Sequence, residues 1–124
     1  MSEDAETCDL AKRKCVPCHG GVPPLGADEI GQFLGELRGW EVVGGHHLRK
    51  AYAFPNFRQS LALVNRIGEV AEREGHHPDI CFGWGRVEVT IHTHAIDGLT
   101  ESDFILAAKI DGALRDEGGG MRDE

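Results

Sequence analysis

Two neighbouring histidines followed by a proline, His76-His77-Pro78, are the residues of this chain best suited to moving protons. Imidazole titrates near neutral pH without large environmental tuning, so it serves readily as acid or base. Glu72 lies one helical turn before His76, and Asp103 lies just inside a later helical pattern. A carboxylate within reach of an imidazole would set its tautomer or hold it protonated. His94, at the end of an alternating segment, supplies a further imidazole. These positions fall at element ends, where side chains project into clefts while rigid structure fixes them. Three imidazoles and two carboxylates make up a candidate acid/base apparatus.

Other roles account for the same residues. Adjacent histidines decorate helix C-termini, where the dipole favours a cation. Imidazole is a common zinc ligand, so His76, His77 and His94 are also candidate metal ligands, although neighbouring ligands strain the geometry. Asp103 fits a helix-capping role. Spacing alone leaves these alternatives open.

A second cluster lies near the start: Cys8, Cys15, Cys18 and His19. Cys15-x-x-Cys18 is the spacing of a zinc knuckle or a dithiol pair. No βαβ pattern surrounds it, and Cys18-His19 adjacency would crowd a tetrahedron. These residues are weak metal candidates, and a leader without a metal is the expectation. Cys81 is expected to be a small buried residue.

The elements that must position the histidines follow from periodicity. Ile30, Phe33, Leu34 and Leu37 share one helix face, and Gly39 offers a cap. Trp40 to Val43 and Leu48 to Phe54 read as strands joined by Gly44-Gly45-His46-His47, which makes His46 and His47 turn residues. Asn56 with Gln59 marks the start of a long helix from about Phe57 to Glu74, stopped by Gly75. Its expected core stripe is Phe57, Leu61, Val64, Gly68 and Ala71, widened by Leu63, Ile67 and Val70. Ile80 to Gly85 reads as a short strand or loop. Arg86 to His94 alternates, with Val87, Val89, Ile91 and Thr93 on one face and Glu88, Thr90, His92 and His94 on the other. Thr100-x-x-Asp103 opens a last helix running to about Leu114. The expected fold is α+β: a four-stranded antiparallel sheet with three helices on one face, in the order helix-strand-strand-helix-strand-strand-helix.

The length of 124 residues suits one core. Expected divisions are a Cys/Gly/Pro-rich leader over 1–26, a folded domain over 27–115 and a flexible tail over 116–124. A net charge of -8, from 13 Lys+Arg against 21 Asp+Glu, argues against nucleic acid as partner. No apolar run is long enough to span a bilayer, so no membrane role is expected. The acidic start lacks the form of a signal peptide, and a cytoplasmic location is the expectation.

Glu72-Arg73-Glu74-Gly75-His76-His77-Pro78, then Trp84, His94 and Asp103, resembles the signature of the pterin-4a-carbinolamine dehydratases. Leu37-Arg38-Gly39-Trp40, Phe54-Pro55-Asn56-Phe57, Val89 to His94 and Gly98 to Asp103 agree with it. The resemblance covers roughly Leu25 to Leu114. Cys15-Val16-Pro17-Cys18 and the residues after it are similar to the leader of bacterial-type members. The sequence departs from the better-known animal members at Gly75, which replaces an acidic residue just before the pair and puts substrate hydrogen bonding from that point in doubt.

The resemblance implies a hydro-lyase, a 4a-hydroxytetrahydrobiopterin dehydratase that turns 4a-hydroxytetrahydropterin into quinonoid dihydropterin and water and so supports tetrahydropterin recycling. It implies catalysis by His76, His77 and His94, with Glu72, Pro78, Trp84 and Asp103 binding or orienting. For Trp84 a buried core role is weighed equally. It implies a pterin substrate, no cofactor and a homodimer or homotetramer. It also carries an alternative, a coactivator-like protein-binding module of the same fold; a metal-binding role of the leader is a third possibility.

Overall fold

A computed structural model describes Lys12 and residues 24–116. The leader with Cys8, Cys15, Cys18 and His19, and the tail beyond residue 116, lie outside the described residues. Seven elements follow in the expected order: α1 (Ala27–Leu34), β1 (Glu41–Val43), β2 (His47–Ala53), α2 (Phe57–Glu74), β3 (Asp79–Gly83), β4 (Arg86–Ile91) and α3 (Glu101–Asp116). The strands form one antiparallel sheet in the order β1-β2-β4-β3.

Local chemistry accounts for the boundaries. Glu29 accepts a hydrogen bond from the Gly26 N–H, closing the first turn of α1. That helix stops at Gly35 rather than Gly39, because Glu36 and Leu37 donate back to Phe33 and Leu34 in a tightened last turn. Gly39 instead sits in the following turn at φ 80°. Between β1 and β2, Gly44 and Gly45 take φ 59° and 67°, the positive-φ pair that suits a tight hairpin. The Asn56 side chain accepts from the Gln59 N–H at 2.9 Å and caps α2 where the sequence places its start.

The core lies between the sheet and the helices. Leu48, Val87, Val89 and Ile91 are fully buried, as are Leu63 and Ile67 of α2 and Phe104, Leu106 and Ile110 of α3. Phe33 of α1 packs on Phe104 with ring centroids 5.4 Å apart. The three helices cover one face of the sheet. On the other face Arg49 bonds both Glu41 and Glu88 across three strands.

Four expectations are corrected. The buried stripe of α2 is Ser60, Leu63, Ile67, Val70 and Ala71, whereas Phe57 and Leu61 are exposed. Both apolar stripes satisfy helical periodicity, and packing against α3 selects the one with Leu63 and Ile67. β4 ends at Ile91, and His94 lies beyond it in a turn. A bridge from Thr93 to Gly98 ends the ladder there. Cys81 is exposed, since alternation along β3 gives Ile80 the inward place. Trp84 is likewise no core residue: it occupies the β3–β4 turn and is 70% exposed.

Candidate active site

The C-terminus of α2 delivers the histidine pair. Gly75 adopts φ 67°, and its N–H and that of His76 both close onto the Ala71 carbonyl, at 2.9 and 3.3 Å. This is the left-handed helix ending that glycine adopts most easily. Gly75 therefore has a backbone task in this chain. It turns His76 inward from the helix end, and Pro78 prevents the helix from resuming.

His76 meets Asp103. Its Nε2–H donates to Asp103 Oδ1 at 2.6 Å, and the carboxylate is wholly buried. The other oxygen, Oδ2, accepts from the Thr93 hydroxyl at 2.9 Å and from the Thr100 N–H at 2.8 Å. Asp103 thus caps α3 with one oxygen and holds His76 with the other. A carboxylate can only accept, so Nε2 of His76 carries the proton and Nδ1 is left to exchange one. The buried hydroxyls of Thr93 and Thr100 lie 3.1 Å apart and complete the network.

His77 points elsewhere. Its Nε2–H donates to Glu72 Oε2 at 2.7 Å, in a pair open to solvent. This too leaves Nδ1 available. His94 sits at the start of a tight loop in which Ile96, Asp97 and Gly98 all donate to the Thr93 carbonyl. Asp103 anchors that loop through Thr93, so one buried carboxylate ties together the segments carrying His76 and His94.

Among the described residues, His94 makes no direct hydrogen bond to His76 or His77. Its ring packs on His92 at 4.1 Å, and His92 packs on His46 at 4.8 Å. His46 and His47 share a hydrogen bond of 3.1 Å between their Nδ1 atoms, and His46 donates to Asp97 at 2.8 Å. His46 holds the Asp97 carboxyl below its ordinary value through that bond. Burial, then the neighbouring His94 and His46, pushes the His92 imidazole down. Asp79, His92 and His94 place one ligating atom each within 4.8 Å of one another and are the described residues able to hold a metal.

The sequence points to His76, His77, His94, Glu72 and Asp103 as candidates but not to the links among them. Thr93 and Thr100 were missed as network members. The signal was present: Thr93 is a polar residue at an inward position after Val87, Val89 and Ile91. Asp79 was missed because its relation to His92 runs through the β3–β4 register. Trp84 stands in the hairpin turn, at the opposite end of β3 from Asp79 and the histidines.

The sequence model of the Pterin 4 alpha carbinolamine dehydratase family matches residues 23–113. A Rubrobacter xylanophilus protein provisionally named pterin-4-alpha-carbinolamine dehydratase is 61% identical over 103 residues, covering 83% of this chain and 96% of that protein. An Alkaliphilus metalliredigens protein of the same provisional name is 50% identical, covering 83% of this chain and 94% of its own. Among solved structures, a transcriptional coactivator/pterin dehydratase from Brucella melitensis superposes with a TM-score of 0.67 at 30% identity, over 73% of this chain and 97% of the other. A pterin dehydratase-like protein identified as a RuBisCO assembly factor in the alpha-carboxysome gives 0.52 at 27% identity, over 61% of this chain and 89% of its own. With the match spanning nearly all the described fold and its histidine-bearing segments, the chain belongs to the pterin 4 alpha carbinolamine dehydratase family.

Proposed function

We propose that this protein dehydrates a 4a-hydroxytetrahydropterin to the quinonoid dihydropterin by histidine acid/base catalysis. The observation that carries the reading is the Asp103 hub, which holds His76 in one tautomer and anchors the loop bearing His94. Loss of water from the substrate breaks the C4a–O bond and forms a C4a=N5 double bond. An imidazolium gives its proton to the departing hydroxyl, and a neutral imidazole takes the proton from N5. The two transfers balance, so the pair returns to its starting charge without a redox partner.

His76 and His77 act as this acid and base, each oriented through Nε2 by its own carboxylate, Asp103 or Glu72. Each presents Nδ1 to the substrate. His94 assists proton transfer or binding from the adjoining loop. Asp103 and Glu72 are positioning residues. The reaction places the protein in tetrahydropterin recycling, downstream of a hydroxylation that forms the 4a-hydroxypterin. The test is a stopped-flow assay on that hydroxylation product. Saturable acceleration over the spontaneous dehydration supports the reading, and an unchanged rate at saturating protein rejects it.

A protein-contact role is the second reading, favoured by an exposed apolar group. Phe57, Leu61, Phe82 and Trp84 are all more than a third exposed, and Phe57 packs on Phe82 at 5.4 Å. These residues cluster at the N-terminal end of α2, with the histidines at its other end. The resemblance implies a homodimer or homotetramer, and we assign this surface to contact with a second copy of the chain. Trp84 belongs to it in this account rather than to the pterin.

A further inference from the structure

The sheet brings a mixed set of ligands together on its solvent face, apart from the buried Asp103 network. Asp79 pairs with Thr90 across β3 and β4, which puts it diagonal to His92 on the same face. His94 follows two positions along, at the start of the turn that the Thr93–Gly98 bridge closes. Strand register therefore sets Asp79 beside His92, and the turn closed by the Thr93–Gly98 bridge brings His94 to them. Their ligating atoms lie within 4.8 Å of one another. Around a tetrahedral ion with bonds of about 2.1 Å, donors sit roughly 3.4 Å apart. Small rotamer adjustments of the exposed Asp79 and His94 side chains close that difference.

We propose that Asp79, His92 and His94 bind one zinc-class divalent transition metal, and that its binding withdraws His94 from the dehydration site. Two imidazoles and one carboxylate suit zinc, cobalt or nickel, and not calcium or magnesium, which need shells built from oxygen. Three protein ligands leave a fourth position for water. Coordination uses a lone pair of the His94 ring, so a metal-bound His94 can neither accept a proton nor reach a pterin. The uptake of metal stands on the geometry alone, whereas its inhibitory effect rests on the dehydratase reading.

The experiment titrates Zn2+ into the metal-free full chain by calorimetry and follows Co2+ binding by its visible d–d absorption. One equivalent should bind, without the thiolate charge-transfer band that cysteine ligation adds. His92→Gln and Asp79→Asn should each weaken it at least about tenfold, since even changes outside the ligand shell cost that much. A chain carrying Cys15→Ser and Cys18→Ser should bind as the parent does. Equal uptake by His92→Gln and the parent, or loss of uptake in the cysteine variant, overturns the site. Dehydration rates are then compared with and without Zn2+, each variant against its own metal-free rate. Inhibition of the parent that His92→Gln relieves supports the withdrawal of His94, and binding without inhibition overturns it. A metal-free parent with no activity overturns the dehydratase reading and the inhibition together, while the uptake is judged by the titration.

Discussion

Asp103 shows how one side chain serves both fold and site. The capping pattern Thr100-x-x-Asp103 was legible in the sequence, and the cap is there. What the pattern could not convey is that a carboxylate has a second oxygen, and that the β4–α3 loop and the α2 C-terminus converge on it. Replacing Asp103 by Ala would strand the Thr100 N–H, the Thr93 hydroxyl and His76 Nε2–H without their acceptor in a closed interior. Such a change should destabilise the protein by about 3 kcal/mol, read from urea unfolding. Asp103→Asn keeps the shape but presents a donor to groups that already donate. It should cost less stability yet lower kcat by about 10²-fold, with KM little changed. Equal losses in stability and rate for the two variants would reduce Asp103 to a cap alone.

Among the elements, the termini of α2 were readable because capping chemistry is local: Asn56 with Gln59 opens it, and Gly75 closes it. Its buried face was readable in part: Leu63, Ile67, Val70 and Ala71 are buried as expected, whereas Phe57 and Leu61 follow the same helical period and are exposed, because the partner helix chooses between the stripes. The end of β4 departs from the sequence alternation for a related reason. Alternation continues through Thr93 and His94, while the ladder stops at the Leu48–Ile91 pair, next to the hairpin turn that opens β2. Gly75→Val tests the helix ending. A β-branched residue at φ 67° should cost about 1–2 kcal/mol with no steric clash to add to it, and should shift His76 from Asp103. The rate should therefore fall along with the melting temperature, whereas Gly75→Asn should preserve most of both. On the sheet's open face, the hydrogen bond from Arg49, with its charge, holds the Glu88 carboxyl below the usual range. A lowered carboxyl contributes stability that is complete above its ordinary pKa and disappears as pH falls through the folded value. Glu88→Gln should accordingly melt below the parent at pH 7, with the gap narrowing below about pH 4. A gap that is constant with pH would contradict the ion pair.

For the molecule as a whole, the separation between an apolar end and a histidine end organises the account. An 18-residue α2 spans about 27 Å, so the surface of Phe57, Leu61, Phe82 and Trp84 is well removed from His76. An exposed group of this kind on a small protein marks a contact surface. Self-association through this patch predicts that Leu61→Asp and Trp84→Asp sediment more slowly than the parent while staying folded, and unchanged sedimentation would remove that reading. The composition is silent about this patch, because exposure is a property of the packed helix and not of the residue list. The proposed catalysis belongs to the other end. It is tested most directly by the dehydration rates of His76→Ala, His77→Ala and His94→Ala on a 4a-hydroxytetrahydropterin. Each should fall by about 10² or more while the folded spectrum is retained, and near-parental rates in all three would contradict histidine catalysis.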